Sequence, residues 1–280
     1  MIVREKAYAK INLYLNVTAK RPDGFHDIET VMQTISLCDD LAVSLTLSDK
    51  AEVYLSVGGA DLPTDSGNIV TRAAKLYLAR SGKVGRVDIT LIKRIPVAAG
   101  LAGGSADAAA TLRAMNRLFN DYFSKDELLS LSAELGSDVP FCLLCGCALC
   151  RGRGELIEPI ASPASLHFVI AIADGEQVST PAAYRALDDM YSDFDGSVKR
   201  ETPNLTKPYN IFENAVFSTC SKAETLKKRM VELGATASLM SGSGPSIFGI
   251  FDSEFSAKAA VDIISKDGAR AYYAHSVGRA

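Results

Sequence analysis

The sequence predicts an α+β fold made of two domains. Candidate strands and helices are interleaved along the chain without strict alternation. With 280 residues, the chain is long enough for two medium-sized domains, each with its own core. Pro159 and Pro163 punctuate the stretch 155–165, where few regular elements are expected. We place the boundary there, which gives domains of residues 1–158 and 159–280.

In the first half, apolar residues at every second position predict strands, as where Val87, Ile89 and Leu91 alternate with polar residues. Helices are expected where capping signals precede an apolar pattern, and Ser124 with Glu127 forms a capping box. The predicted strands are 7–17, 40–47, 51–57 and 87–93, and the predicted helices are 68–81, 106–120 and 125–135.

The second half repeats this mixture. Thr180 and Pro181 open a short helix, with proline at its first position. Residues 192–210 are polar and contain two prolines, so we expect a mobile loop there. The closing strand–helix–strand order suits a ferredoxin-like half-domain. The predicted elements are strand 166–173, a helix beginning at 221 and ending before 234, strand 246–251, helix 254–266 and strand 270–277.

Composition narrows the class of protein. A net charge of −3, a pI near 5.7 and the absence of a long Lys/Arg run argue against binding to nucleic acid. The chain reaches charged, alternating sequence directly after Met1, and no apolar run of about 18 residues follows. We therefore expect a cytoplasmic protein without membrane contact, as a monomer or a weak homodimer.

Four cysteines crowd the sequence CLLCGCALC, at positions 142, 145, 147 and 150. This spacing is compatible with zinc or an iron–sulfur cluster. Small buried thiols in a reducing compartment are the simpler interpretation. We expect a helix end and a strand to share the four, and we predict no metal site.

The stretch PVAAGLAGGSADAAATL, residues 96–112, is the most informative part of the chain. Gly100, Gly103 and Gly104 can adopt backbone angles closed to other residues, and they let a phosphate approach the main chain. The helix that follows contributes unpaired N–H groups and a positive dipole end. The loop lacks the spacing of a Walker A or a Rossmann motif. By itself it leaves open both a phosphate site, with Ser105 as a hydroxyl ligand, and a structural turn.

Polar residues interrupt an apolar strand near the N-terminus. Lys10 and Asn12 are two positions apart and therefore share a face. A lysine there can also extend along the strand to solvent. The turn RPDG then leads to Phe25 and His26, which composition alone would assign to a loop aromatic and a surface imidazole.

Two further segments have both a structural and a functional interpretation. Asp138, in LGSDVPF, lies between a helix end and a proline, where an aspartate is usually a turn or cap residue. Residues 241–246 form a glycine-rich entry to a strand. They could also form a second backbone wall against phosphates or substrate.

Taken together and in order, these motifs resemble those of the diphosphocytidyl-methylerythritol kinases, a branch of the GHMP kinases. The resemblance rests on AKINLYL with RPDGFH, on PVAAGLAGGSADAAATL, on LGSDVPF and on SGSGPSIF, and it covers nearly the whole chain. It implies a ribosomal-protein-S5-like N-terminal domain and a ferredoxin-like C-terminal domain that completes the substrate cleft. It also implies ATP as co-substrate, with Mg²⁺, and transfer of the γ-phosphoryl group to the C2 hydroxyl of a cytidyl diphosphate sugar alcohol.

The resemblance also implies residue roles. Lys10 and Asp138 match the catalytic pair. Phe25 would stack on cytosine, His26 would read its edge, and Asn12 and Tyr184 would complete the substrate region. The residues matching the ATP site are Asn68, Pro96, Val97, Ala98, Ala99, Gly100, Leu101, Ala102, Gly103, Gly104, Ser105 and Ala106.

Three positions depart from the family pattern. Ala106 replaces a frequent second serine, so Ser105 is expected to supply hydroxyl contacts alone. Phe25 replaces a common tyrosine and Met32 an occasional aromatic residue, and neither change removes a catalytic group. Another small-alcohol GHMP kinase, of the homoserine or mevalonate type, is the alternative function. A nucleotide-binding regulator that has lost catalysis is less favoured because Lys10 and Asp138 are both present.

Overall fold

The computed structural model describes residues 1–161, 165–173, 175–176, 178–191 and 208–279. The strands are β1 (Ile2–Lys20), β2 (His26–Thr46), β3 (Ala51–Gly58), β4 (Gly85–Ile92), β5 (Cys147–Arg151), β6 (Leu156–Pro159), β7 (His167–Ile172), β8 (Tyr209–Asn210), β9 (Ala237–Met240), β10 (Ile247–Phe251) and β11 (Arg270–His275). The helices are α1 (Ile69–Ser81), α2 (Gly103–Leu118), α3 (Lys125–Leu135), α4 (Val139–Leu144), α5 (Thr180–Met190), α6 (Phe212–Val216), α7 (Ser221–Glu232) and α8 (Glu254–Lys266).

The chain divides into two compact units. The first unit contains residues 1–9, 38–97 and 102–145, and the second contains residues 10–37, 98–101 and 146–280. The long strands β1 and β2 each contribute residues to both units. The predicted boundary after residue 158 stays a prediction.

The first unit is a sheet with four helices. β4 lies between β3, to which it is parallel, and the last part of β2, to which it is antiparallel. Pairing of Leu41 with Leu91 and of Val43 with Ile89 puts buried side chains on one face. α2 is rich in alanine and is buried over most of its length, which allows α1 and α4 to pack closely against it.

The second unit contains a four-stranded antiparallel sheet in the order β11-β7-β10-β9. β10 and β11 are both antiparallel to β7, which lies between them, so they run parallel to each other and are joined by α8. This split βαβ arrangement confirms the predicted ferredoxin-like half-domain. The same unit also contains β8 paired with β1, and β5 paired with β2 and β6.

Several element boundaries differ from the prediction. β2 begins at His26, although only its last part was predicted as a strand. Thr30, Gln33 and Thr34 obscure its apolar pattern, yet these three side chains are buried. The strand β9 was not predicted. Of the predicted loop 192–210, residues 192–207 lie outside the described part of the chain, and 209–210 form β8.

The cysteine segment divides as predicted between a helix end and a strand. Cys142 is on α4, Cys145 follows that helix, and Cys147 and Cys150 are on β5. All four are buried, and none is in a disulfide with another described cysteine. Burial raises the pKa of Cys147 to about 11. Within the described ranges, no three or more His, Cys, Asp or Glu side chains are grouped as metal ligands.

None of the described helices has both the length and the apolar character that a bilayer crossing would require.

Candidate active site

The central turn of the phosphate loop, which we define as residues 96–106, is anchored within the second unit through its carbonyl groups. The backbone N–H of Lys10 donates to the carbonyl of Leu101 at 3.1 Å. The hydroxyl of Ser241 donates to the carbonyl of Gly100 at 3.0 Å. These bonds fix the turn against β1 and against the second glycine-rich segment.

That second glycine segment, residues 241–246, is itself held in place. Ser246 Oγ donates to the carbonyl of Ala99 at 2.5 Å. Asn210 Nδ2 donates to the carbonyl of Gly242 at 2.8 Å. The segment therefore packs on the loop, as its interpretation as a backbone wall requires. Sequence reasoning missed Asn210 because it lies in a stretch predicted to be a loop.

Gly100 is the one position in the turn where a side chain has no space. Its φ is +75°, and a Cβ would lie 2.2 Å from the carbonyl oxygen of Ser241. Both the left-handed backbone and the close approach require glycine here.

The expectation that Gly103 and Gly104 use backbone angles closed to other residues is wrong. Gly103 and Gly104 do not adopt unusual backbone angles, because they begin α2. The left-handed residues around Gly100 are instead Ala98 and Ala102, each with φ of 54°. At Gly103 a Cβ would lie 3.0 Å from Ile95 Cγ2, so any larger residue would have to displace the Ile95 side chain at the helix start.

The start of α2 suits an anion. Its N-cap residue is Ala102, which has no side-chain oxygen to accept from the N–H groups of the first turn. Ser105 lies half-buried in that turn, and Ala106 is buried. The N–H groups and the helix dipole together favour a negative charge at this end.

The remaining residues of the predicted ATP site have mixed environments. Val97 is exposed, whereas Ala99 and Leu101 are buried, and Pro96 is half-buried. Asn68 caps α1: its Oδ1 accepts from the N–H of Val70, the second residue of the helix, and its Nδ2 donates to the carbonyl of Pro63.

α1 begins near the start of α2. Ile69 Cγ2 lies 3.6 Å from the position that a Cβ of Gly104 would occupy. The first turn of α1, which Asn68 caps, is therefore close to the phosphate loop.

Lys10 does not extend to solvent, since it is only 5% exposed. Its Nζ donates to Asn12 Oδ1 at 2.8 Å, which confirms that the two share a face of β1. Asn12 Nδ2 in turn donates to Thr30 Oγ1 at 2.8 Å, and Thr30 donates to the carbonyl of Tyr14 at 2.6 Å. The ammonium group is thus held by a buried polar chain.

Asp138 lies in the first unit, at the N-cap position of α4, and is half-buried. Its carboxylate does not cap its own helix, although its carbonyl accepts from the N–H of Cys142 at 3.1 Å. The interpretation as a side-chain cap therefore does not account for this aspartate.

His26 is buried rather than a surface imidazole. Its Nε2 lies 2.7 Å from Asp188 Oδ1, and Lys20 Nζ lies 2.7 Å from the other oxygen of that carboxylate. Burial raises the pKa of Asp188, but the hydrogen bonds from Lys20 and His26 outweigh it and leave the pKa below its ordinary value. An ionised carboxylate can only accept, so Nε2 carries the hydrogen.

Two aromatic side chains of the predicted substrate region have different neighbours. The ring of Tyr184 stacks on His26 with centroids 4.7 Å apart, and it makes a T-shaped contact with Phe212 with centroids 4.8 Å apart. Phe25 is 52% exposed, and the guanidinium carbon of Arg153 lies 4.4 Å from its ring centroid. Neither Asp188 nor Arg153 was predicted, since each is a charged residue in a polar stretch.

The family description "GHMP kinases N terminal domain" matches residues 68–146, and "GHMP kinases C terminal" matches residues 197–270.

Proteins named 4-diphosphocytidyl-2-C-methyl-D-erythritol kinase are similar over nearly the whole chain. The relative from Bacillus subtilis (strain 168) is 44% identical, over 91% of this chain and 90% of its own. The relative from Bacillus pumilus (strain SAFR-032) is 42% identical, with the same two coverages. A crystal structure of 4-(cytidine 5'-diphospho)-2C-methyl-D-erythritol kinase aligns with a TM-score of 0.81 at 34% identity, covering 99% of this chain and 100% of the other.

Proposed function

Since the chain belongs to the GHMP kinase family and, within it, to the 4-diphosphocytidyl-2-C-methyl-D-erythritol kinases, we propose that it phosphorylates the C2 hydroxyl of that cytidyl alcohol with ATP. The products are the 2-phosphate and ADP, and the step belongs to the non-mevalonate route to isoprenoid precursors. The enzyme is an ATP-dependent small-molecule kinase.

The phosphate loop carries this proposal. At Gly100 the turn packs so closely against the Ser241 carbonyl that no side chain would fit. α2 then begins at Gly103 without a side-chain cap. This combination offers backbone N–H groups to a phosphate without a basic residue. Asn68, at the start of α1, is assigned to the adenine end of ATP.

Lys10 and Asp138 are assigned to catalysis from their motifs. Transfer is in line and direct, with no phospho-enzyme. Asp138 orients the substrate hydroxyl and accepts its proton late, because a loose phosphoryl-transfer transition state needs little early deprotonation. Lys10 stabilises the charge that develops near the γ-phosphate. Its buried chain to Asn12 and Thr30 supports this role by restricting the ammonium to one position.

The cytidyl group is assigned to the region of Phe25, His26 and Tyr184. The exposed ring of Phe25 can stack on a base. In the neutral imidazole, a hydrogen on Nε2 leaves Nδ1 as an acceptor, which matches the amino group of cytosine and not the carbonyl of uracil. Asn12 is placed with the sugar-alcohol end.

Magnesium is expected with ATP, and the residues at the start of α2 fit an ion that needs few protein ligands. Mg²⁺ often takes one or two protein oxygens and completes its sphere with water and substrate phosphates. Ser105, half-buried in the first turn of α2, is the hydroxyl placed to serve. When bound, the ion neutralises phosphate charge. We also propose that the enzyme is cytoplasmic and that the boundary between its two domains lies after residue 158.

A coupled ATPase assay across candidate alcohols tests the function. We expect efficient use of the cytidyl substrate, about 10- to 100-fold weaker use of its uridyl analogue from one unpaired buried group, and almost no use of free methylerythritol phosphate. Faster turnover of homoserine or mevalonate would transfer the assignment to the alternative GHMP kinases. Equal use of the cytidyl and uridyl substrates would remove His26 from base recognition.

A further inference from the structure

Three ionisable side chains are buried at the base of the phosphate loop, and the chemistry above does not use them. Asp39 on β2, Lys93 directly after β4 and Asp107 on α2 are 0%, 7% and 2% exposed. Lys93 Nζ donates to Asp39 Oδ2 at 2.5 Å and to Asp107 Oδ2 at 2.7 Å. We call these residues the buried triad.

The triad reaches both ends of the loop. Asp39 Oδ1 accepts from the backbone N–H groups of Arg94 and Ile95, the two residues that precede the loop. Lys93 Nζ lies 3.3 Å from the position that a Cβ of Gly103 would occupy, and its second partner is Asp107, four residues further along α2. One carboxylate thus holds the entrance of the loop, and the ammonium connects it to the helix that forms the exit.

Stability alone does not explain three buried ionisable groups. Well-packed apolar side chains of similar volume often stabilise a fold as much as a buried ion pair or triad does, or more. Charged groups instead fix one geometry, because each has few acceptable partners. We propose that the buried triad is a positioning device, in which Asp39, Lys93 and Asp107 hold the two ends of the phosphate loop in the register that binds ATP. The proposal rests only on the ATP-dependent kinase activity, not on the identity of the alcohol.

The charge of the triad adds a second consequence. The charged groups that face Asp107 are Lys93 and Asp39, and burial raises the pKa of Asp107 to about 8. Below that pH Asp107 is neutral, and the ammonium balances Asp39. Above it the triad carries one net negative charge next to the start of α2. ATP binding should therefore weaken as the pH rises past about 8.

Calorimetric titration with ATP tests the positioning role without requiring turnover. We expect Asp107→Ala, which removes one of the two carboxylate partners of Lys93, to weaken ATP binding about 10- to 100-fold through displacement of the loop. Asp107→Asn, which keeps an acceptor oxygen, should bind ATP nearly as well as the wild type at pH 7. In steady-state assays the KM for ATP should change and the KM for the alcohol should not.

Glu5→Ala is the matched control. Glu5 is a carboxylate of the same unit that pairs with Arg113 on α2. Arg113 is ten residues beyond Gly103, or about 15 Å along the helix axis. Loss of this pair should leave ATP binding unchanged. If Asp107→Ala does not fold, Asp107→Leu serves as the second variant, because leucine is close to aspartate in shape, cannot accept from Lys93 and leaves Lys93 paired with Asp39. It should show the same loss of ATP affinity.

The pH arm compares the wild type with Asp107→Asn, so titration of ATP itself cancels in the ratio. The wild type should lose affinity relative to the variant between pH 7 and pH 9. Unchanged ATP binding in a folded Asp107→Ala protein, or equal losses in the Glu5 control, would overturn the positioning role. A constant ratio across the pH range would exclude the charge effect and with it the neutral form of Asp107. Failure to phosphorylate any cytidyl alcohol, with these ATP results intact, would count against the proposed substrate and not against the triad.

Discussion

Asp188 fixes the orientation of the His26 imidazole through its Nε2. The contact joins Nε2 to Oδ1 at 2.7 Å across 162 positions of the sequence, and Lys20 binds the other carboxylate oxygen. Stacking of Tyr184 restricts the ring plane as well. In its neutral form, a histidine fixed in this way offers Nδ1 as an acceptor in one direction, as the proposed selection of an amino-bearing base requires.

Replacing Asp188 with alanine should therefore impair substrate binding selectively. A hydrogen bond to a charged group is worth about 1.5–3 kcal/mol, so we expect the KM for the cytidyl substrate to rise about 10- to 100-fold while the KM for ATP is unchanged. Asp189→Ala, at the exposed neighbouring position, is the control. A shift in both KM values would indicate a general packing defect instead.

The same contact predicts a pH dependence of stability. Because the pKa of Asp188 is lowered in the folded protein, its contribution is present above the ordinary carboxyl pKa of about 3.9 and is lost as the pH falls through the lower folded value. The difference in unfolding free energy between wild type and Asp188→Ala should be largest near neutral pH and should shrink in acid. Denaturant unfolding at several pH values measures it, and a difference that grows in acid would contradict the assignment.

Asp138→Asn tests the catalytic assignment. The amide keeps the shape but cannot accept a proton, so kcat should fall about 10²- to 10⁴-fold with ATP affinity little changed. Asp126→Asn, in the first turn of α3, controls for loss of a carboxylate on the same unit. Normal turnover by a folded Asp138→Asn protein would remove this residue from the mechanism.

Gly100→Ala tests the phosphate loop against a matched glycine. Gly82 also has a left-handed backbone, with φ of 65° against 75° at Gly100, but its Cβ would meet nothing within 4 Å. Gly82→Ala should therefore cost only the left-handed penalty of about 1–2 kcal/mol. Gly100→Ala adds the clash with Ser241 and should also raise the KM for ATP by at least about 10-fold. Equal losses of stability in the two variants, with unchanged ATP binding, would show that the turn accommodates a Cβ at Gly100 and would contradict this prediction.

The four cysteines of the CLLCGCALC segment should react slowly with thiol reagents and bind no metal. Burial raises the pKa of Cys147 to about 11, so almost no thiolate is present at pH 7.5. We expect a disulfide reagent to modify half-buried Cys38 first, and all 6 cysteines only after unfolding in guanidinium. Metal analysis of the purified protein should find no stoichiometric zinc or iron. One tightly bound metal per chain, released together with new thiol reactivity, would refute the structural interpretation.

Local sequence patterns were sufficient for most of the elements. The capping box at Ser124 begins α3 where predicted, and a serine cap precedes α8. These signals act within one turn of helix, so neighbouring residues suffice to specify them. The glycine-rich stretch before α2 was identified for the same reason.

Patterns failed where distant partners compensate for a local cost. The first part of β2 contains Thr30, Gln33 and Thr34, which break the apolar alternation. Gln33 is satisfied by the carbonyl of Val277, 244 positions away, and Thr30 bonds to Tyr14 and Asn12. Neighbouring residues give no indication of such distant partners, so β2 was predicted to begin too late.

The sequence by itself determined the ATP-loop motif, the order of the elements and the family resemblance, because each depends on residue types at fixed spacing. Only the tertiary structure decided that Ala98 and Ala102, and not Gly103, adopt left-handed angles. It also decided that Asp188 orients His26. The physical reason is the same in both cases: backbone strain and buried charge are tolerated only where groups remote in sequence hydrogen-bond or pack against them.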